Sequence, residues 1–427
     1  MSYSTAIRQV GYSLFPQFFS PGSEPLDLVV QDIAIIMVVA AIMLAITYKL
    51  KQPMVIGYII AGMIIGPYTP PFSFIQSFET LNLFAELGII MLLFVTGTEF
   101  PIAKLRSVGR VSIFTALAES LGTLLIVFFI AQNLGFSFND SIFLALALSI
   151  TSTVITIRIL EDVGLIRDKS STLILGMLIV EDIIAISALG VMQSFVASGG
   201  SLSLLNIAIT LGIVGGFIGG IIIVGSKAVP RVIDRAGKTN DYALLLITIL
   251  ALAFGLSFLA NGLGMSVVIG AFLAGVLVAE SKSAAVARII TIPLRDMFAA
   301  LFFISIGALM NISLLPAFMV PAMILILTSF ASKFLIVTGI LVRFKYDNTT
   351  ALRAGLGMAA TKGELSLVIA KGGQDVGAIT PLILPLLGVV TIATTFIGPF
   401  IIRVGSRFKL SEPTEADSKK EKEEEGT

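Results

Sequence analysis

The chain contains no cysteine, so it can hold neither a disulfide framework nor a thiolate-bound metal. It contains no histidine either, which removes the commonest metal ligand and the commonest proton shuttle at neutral pH. Any proton chemistry must therefore run on carboxylates and lysines. Charge is scarce: 13% of the 427 residues are charged, against about 25% in soluble proteins. Hydrophobic residues make up 56%. This is the balance of an all-α polytopic membrane protein, whose spanning backbone must satisfy its own polar groups. The formal net charge is +1, and no basic face for nucleic acid stands out. Residues 1–28 lack the basic start, apolar core and small-residue cleavage site of a signal peptide. Thr5–Phe19 reads equally as a short interfacial helix or as a surface segment.

What fills the chain is apolar runs. Thirteen are visible, at about 29–48, 54–66, 84–100, 111–132, 139–160, 171–197, 205–226, 241–259, 265–280, 296–312, 317–343, 350–372 and 381–403. They are called segments 1 to 13, and each is expected to cross the membrane as a helix. Basic residues test the count. Lys49 and Lys51, Lys104 to Arg110, Arg158 to Lys169, Lys227 to Lys238, Lys282 to Arg295 and Arg343 to Arg353 fall between alternate pairs of segments, whereas the opposite loops hold only Lys371. Positive charge marks the cytoplasmic side. The N-terminus is then outside, the C-terminus is inside, and the protein is a multi-pass cell-membrane protein. The tail, residues 404–427, ends in a mixed charge run and reads as disordered and solvated.

An internal repeat is present. Gly57–Gly66 resembles Gly270–Ala279, displaced by 213 (from 57 to 270), and Met91–Gly97 resembles Leu301–Gly307, displaced by 210 (from 97 to 307). Segments 2 and 3 thus match segments 9 and 10, seven segments later. Seven is odd, so matched helices run in opposite directions. Segments 1–6 and 8–13 form an inverted-topology repeat with segment 7 as connector, a pattern that places a substrate site near the midplane.

Few charges remain inside segments: Glu119 in segment 4, Glu181 and Asp182 in segment 6, Lys333 in segment 11, Lys362 and Glu364 in segment 12. Asp182 lies eleven residues into the run that starts at Ser171, roughly 16 Å deep at ~1.5 Å per residue, near the midplane of a ~30 Å layer. A charge there costs several kcal/mol, so the acidic pair is a candidate functional site. Four acids face two bases. A low-dielectric site with that imbalance must take up protons or bind a cation.

Segment 5 carries Ser149, Thr151, Ser152 and Thr153 midway, and segment 12 carries Gly355, Gly357, Thr361, Gly363 and Glu364. Both are expected to be discontinuous and to cross at these points, presenting carbonyls and helix ends to an ion. The blander readings are hydroxyls bonded to the preceding turn and glycines that permit close packing. Glu364 is expected to neutralise a half-helix N-terminus and Lys362 to pair with carbonyl ends, with Gly363 at the break. Adjacent helical residues point ~100° apart. One acid of the pair therefore faces the ion path and the other a partner, for which Lys333 is the best candidate. The alternative for Lys333 is a static ion pair, and Glu119 reads as a satisfied structural acid.

Gly57–Pro67, Glu86–Gly97, Ser149–Thr153, Glu181-Asp182, Gly270–Ala279 and Lys362-Gly363-Glu364, taken in order, resemble the monovalent cation:proton antiporter-2 family over residues 30–403. The resemblance implies a core part (about 111–197 and 317–403) and a dimerisation part (about 29–100 and 205–312) within a membrane domain spanning 29–403, assembled as a homodimer. It implies no cofactor, only the transported cation and protons. By resemblance Asp182 binds ion and proton, and Glu181 stands where relatives have an aspartate or a glutamine. Lys333 stands where electrogenic members keep a lysine, and Lys362 replaces a residue that is usually small or an amide. The expected activity is exchange of sodium, or of potassium or lithium, for protons by alternating access. Thr151, Ser152 and Thr153 supply oxygens beside Asp182, and release of the Glu181–Lys333 pair moves a second proton. The alternatives are a cation channel with the acids as its selectivity site, and a sodium-coupled symporter of organic anions, which would need a substrate cavity. An enzyme is not expected, since neighbouring acids on one helix cannot form a two-helix aspartic dyad.

Overall fold

The computed structural model describes residues 25–50, 52–69, 74–75, 77–99, 109–166, 168–197, 216–217, 219–239, 241–263, 267–311, 313 and 315–406. The N-terminal segment, most of segment 7 and the charged tail lie outside the described residues. Among those described there is no strand. In chain order the helices are α1 (Pro25–Leu50), α2 (Met54–Ile65), α3 (Phe78–Thr98), α4 (Arg110–Asn133), α5 (Phe138–Leu148), α6 (Thr153–Asp162), α7 (Lys169–Ala197), α8 (Ser226–Lys238), α9 (Tyr242–Gly262), α10 (Val267–Ala279), α11 (Ala284–Ala308), α12 (Leu315–Arg343), α13 (Asn348–Ala359), α14 (Glu364–Asp375) and α15 (Ile383–Ser406). Seven of them, α1, α3, α4, α9, α11, α12 and α15, contain stretches long and apolar enough to cross a membrane. The helices α2, α5 and α10 are apolar but shorter.

Two expected boundaries move. Arg288 and Arg295, read as loop residues, lie on α11, which begins twelve residues before segment 10 (at 284, not 296). Lys227, Arg231, Arg235 and Lys238, also read as a loop, lie on α8 behind a short π-helical turn at Ile221–Gly225. Hydropathy delimits the part of a helix that sits in lipid, and both helices continue past it into a polar region, where their backbone bonds are satisfied equally well.

Segments 5 and 12 are each two helices. Segment 5 is α5 and α6, separated by residues 149–152; segment 12 is α13 and α14, separated by residues 360–363. Ser137 caps α5 by accepting from Asp140 N, and Asp347 caps α13 by accepting from Thr350 N at 2.8 Å. The capped starts are displaced by 210 (from 138 to 348), and the second halves by 211 (from 153 to 364). The positive-φ residues among those described recur the same way: Gly135 with Lys345, displaced by 210, and Gly164 with Gly377, displaced by 213.

Glycines let α2 and α3 meet α11 and α10 at backbone contact. A Cβ on Gly62 would lie 2.0 Å from Ile304 O and 2.9 Å from Gly307 Cα, while one on Gly307 would lie 2.2 Å from Ile59 O. A Cβ on Gly97 would lie 2.2 Å from Phe272 O, and one on Gly275 would lie 2.0 Å from Phe94 O. Small residues replace the hydrophobic drive that lipid cannot supply, allowing dispersion contact along the whole helix pair.

Candidate functional site

The two breaks lie against each other. Ser152 N donates to Thr361 O at 3.3 Å, and the Thr156 and Thr361 hydroxyls are 2.9 Å apart. A Cβ on Gly363 would fall 2.3 Å from Ser152 Oγ, so only glycine admits this approach. From α15, Thr394 Oγ1 accepts from Lys362 N and Thr395 Oγ1 donates to Lys362 O, which fixes the second break.

A half-helix exposes its last carbonyls, and here they are met. Lys362 Nζ donates to Leu148 O at 2.6 Å, Ser329 Oγ donates to the same oxygen at 2.7 Å, and Ser366 Oγ donates to Ala147 O at 2.7 Å. The C-terminal end of α5 thus carries a cation and two hydroxyls against its negative dipole end. At the end of α13, Thr151 Oγ1 donates to Met358 O at 2.6 Å. Ser152 caps α6 by accepting from Ile155 N at 3.4 Å.

The acidic pair on α7 divides at this crossing. Glu181 is fully buried and turned into a closed network. It accepts from Thr151 N at 2.8 Å and contacts Lys333 Nζ directly. Lys333 also lies 3.1 Å from Glu119 Oε2 and donates to Thr151 Oγ1 at 2.9 Å. Lys333, Glu119 and Glu181 are all 0% exposed. Asp182, one residue on, points the other way. Its Oδ2 accepts from Thr153 Oγ1 at 2.9 Å, while its Oδ1 is buried with no hydrogen-bond partner. The three hydroxyls of Thr151–Thr153 therefore do not act as one donor group: only Thr153 reaches Asp182. Thr151 lies in the non-helical link, held by Met358 O and Lys333. Ser152 Oγ donates to Glu364 Oε2 at 3.3 Å. The ~100° helical spacing that separates Glu181 from Asp182 does not apply across a break, so the direction of each hydroxyl there is set by its tertiary partners.

Asp182, Thr153 and Glu364 line the inner end of a cavity of about 760 Å³. Its walls include Tyr58, Leu92, Thr96, Ile155 and Phe303, and its exposed mouth carries Tyr48, Lys49, Asp296 and Arg403. Glu99 and Arg295 also line it; Glu99 is paired with Arg288 at 2.6 Å and Arg295 with Asp296 at 2.8 Å. The cavity was not legible in the sequence. Its lining comes from helices hundreds of residues apart, and its mouth residues look like ordinary end-of-helix charges.

The buried charges now fall into two groups. Lys333 and Lys362 are bonded within the break network, beside Glu119 and Glu181, so that two bases face two acids. The excess of two acids therefore sits on Asp182 and Glu364, the pair that faces the cavity, and neither lysine is bonded to them. An oxygen-lined, anionic, cavity-facing site suits a hard cation or protons.

Residues 34–404 match the family described as sodium/hydrogen exchanger, transmembrane. The chain is 30% identical over 350 residues to YbaL of Escherichia coli (strain K12), assigned as a cation/proton antiporter; the match covers 79% of this chain but 61% of that protein. It is 29% identical over 363 residues to the high-affinity Na(+)/H(+) antiporter NhaS3 of Synechocystis, covering 82% of this chain and 76% of the relative. Among solved structures, the sodium proton antiporter MjNhaP1 of Methanocaldococcus jannaschii at pH 8 superposes with a TM-score of 0.65 at 18% identity, over 89% of this chain and 96% of that one. At that identity the likeness is one of fold.

Proposed function

Because the chain belongs to the sodium/hydrogen exchanger family, we propose that it exchanges a monovalent cation for protons across the cell membrane by alternating access, both competing for Asp182. Sodium is the first candidate, with potassium and lithium as alternatives. One observation carries the reading: a buried carboxylate at the inner end of a cavity with one oxygen free of any hydrogen bond. Competition at one carboxylate suffices for exchange. A protonated Asp182 has no charge to hold a metal ion, and a metal-bound one has no charge to hold a proton. Each crossing thus carries one or the other, and a gradient of either drives the other uphill.

The moving parts follow from the walls of the cavity. Tyr58, Leu92, Thr96 and Phe303 belong to the part formed by residues 29–100 and 205–312. Asp182, Thr153 and Glu364 belong to the core formed by residues 111–197 and 317–403. A site between two bodies is opened and closed by rocking one against the other. Lys49 and Arg295, which line the cavity, belong to the basic set that marks the cytoplasm, so this conformation is open inward, with the N-terminus outside.

Thirteen crossings in two inverted halves, with segments 5 and 12 each spanning as two half-helices, account for the recurring displacements of 210 to 213. The glycine contacts support the same symmetry. The repeat aligns Gly62 with Gly275 and Gly97 with Gly307, so it exchanges the contact of Gly62 with Gly307 for that of Gly275 with Gly97, and both are present. Glu181 and Lys333 act as mutual counter-ions, and opening of that pair is the route for a second proton. The protein works as a homodimer through the part that does not rock. The cavity is large enough for an organic anion, but two carboxylates at its inner end would repel one.

Proteoliposomes with an imposed pH gradient test the assignment. Wild type dissipates the gradient on addition of sodium or potassium, and Asp182→Asn does not. A gradient that still collapses in Asp182→Asn removes Asp182 from the ion path.

A further inference from the structure

Glu364 stands out once the charges are sorted. As the first residue of α14 it reads as a compensator of the helix dipole, and that role alone would be structural. Four observations point to a further role. Its side chain is only partly buried, and it lines the same cavity as Asp182. It is tied to the start of α6 beside Asp182: Ser152 Oγ reaches Glu364, and Thr153 Oγ1, on the next residue, reaches Asp182. The two carboxylates are thus bridged by consecutive hydroxyl residues. Asp182 Oδ1, fully buried and without a partner, remains available there. The two buried lysines are engaged elsewhere: Lys362, two residues away, is bonded to Leu148 O and Lys333 to Glu119 and Glu181, while Arg295 at the cavity wall is paired with Asp296.

We propose that Glu364 is a ligand of the transported cation, held between Glu364 and Asp182 with the Ser152 and Thr153 hydroxyls as further oxygen donors. The proposal rests on the antiport reading and adds to it. A hard cation is held by several oxygens at once, and Asp182 with Thr153 supplies too few. Two carboxylates make a site of high field strength, which sets the order among lithium, sodium and potassium. The dipole role predicts none of this, because any group that caps α14 would serve.

The test compares Asp182→Asn, Glu364→Gln and Glu364→Asp of the full chain with wild type in proteoliposomes, reading proton flux against lithium, sodium and potassium concentration. Glu364→Gln is expected to raise the KM for the cation about ten-fold or more while exchange persists at saturating salt, and Asp182→Asn is expected to be inert. Glu364→Asp keeps the charge but shifts the carboxylate by one methylene, so it should restore tight binding for one cation and change the KM ratios among the three. Glu364→Gln with a KM within roughly two-fold of wild type, against an inert Asp182→Asn, overturns the role of Glu364 and leaves antiport standing. A wild type that shows no cation-dependent proton flux overturns both. If Glu364→Gln does not fold, Glu364→Asp decides: altered KM ratios support ligation, and unaltered ratios leave Glu364 as a helix cap.

Discussion

Lys333 offers the sharpest quantitative test of the buried network. It touches Glu181, Glu119 and Thr151, all buried. Lys333→Met keeps most of the side-chain volume and removes one positive charge. Breaking a buried ion pair from one side costs about 3–5 kcal/mol. A second route gives a matching figure. The uncompensated charge can be removed by binding one proton, and protonating an acid of ordinary pKa ~4.3 at pH 7.5 costs about 1.36 kcal/mol for each of ~3.2 units, roughly 4 kcal/mol. At pH 5.5 the same work is about 1.6 kcal/mol. The sign follows from linkage. The folded variant binds a proton that the unfolded chain has released, so its stability falls as pH rises above ~4.3, by ~1.36 kcal/mol per unit. At about 2 °C per kcal/mol, the variant should melt roughly 8 °C below wild type at pH 7.5 and about 3 °C below at pH 5.5. The chain has neither tryptophan nor cysteine, so indole fluorescence and thiol-reactive dyes are blind to it. Size-exclusion of heated samples of a fluorescent-protein fusion is the practical readout. Adding Glu181→Gln to Lys333→Met should recover most of the loss at pH 7.5. A Lys333→Met protein that melts with wild type at pH 7.5, or whose deficit does not depend on pH, would falsify the network as the home of two compensated acids.

Three further outcomes are expected. Lys362→Met removes one of two donors to Leu148 O, while Ser329 keeps the other, and also one of the two bases set against Glu119 and Glu181; it should melt about as far below wild type as Lys333→Met, and a loss of only about 1–2 kcal/mol, that of a hydrogen bond, would mean that Lys362 serves a carbonyl and takes no part in the charge balance. Gly97→Ala places a Cβ 2.2 Å from the Phe272 carbonyl oxygen, whereas Gly255→Ala meets nothing within 4 Å; the first should abolish the monodisperse peak and the second should match or exceed wild type, since alanine favours helix by up to about 1 kcal/mol. With the membrane potential clamped, wild-type flux should respond to voltage and that of Glu181→Gln should not, and an equal response in both would take Glu181 and Lys333 out of charge translocation.

The positions of the two breaks could be read from the chain because they have a local cause. Ser149, Thr151 and Ser152 offer backbone groups an alternative to the helix, and Gly363 removes the Cβ that would block the crossing. The nearness of Lys333 to Glu181 was legible from charge, since a lysine at that depth needs an acid and few are present. What could not be read is direction. Thr151, Ser152 and Thr153 are neighbours in sequence yet point to Lys333, Glu364 and Asp182 respectively. Outside a regular helix no period assigns faces, and only the opposite break supplies the constraint. The extent of α11 and α8 was missed for a different reason. Hydropathy reports where a helix meets lipid and says nothing of where its hydrogen bonds stop.

The charge balance joins these levels. An excess of two buried acids is a property of composition and could be met in many ways, by scattered protonation or by a bound ion anywhere among the helices. The double break removes that freedom. Each break ends a helix in carbonyls that need donors, and Lys362 and Thr151 are drawn there. Thr151 in turn holds Lys333, and Lys333 holds Glu119 and Glu181. Both bases are thereby fixed on the closed side of the crossing. The remaining two carboxylates face the cavity, and neither Lys333 nor Lys362 is bonded to them. On the proposed mechanism they are neutralised by what the cavity delivers, a proton or a metal ion. The helix breaks, on that mechanism, serve exchange even where they touch no ion, because they hold both lysines elsewhere.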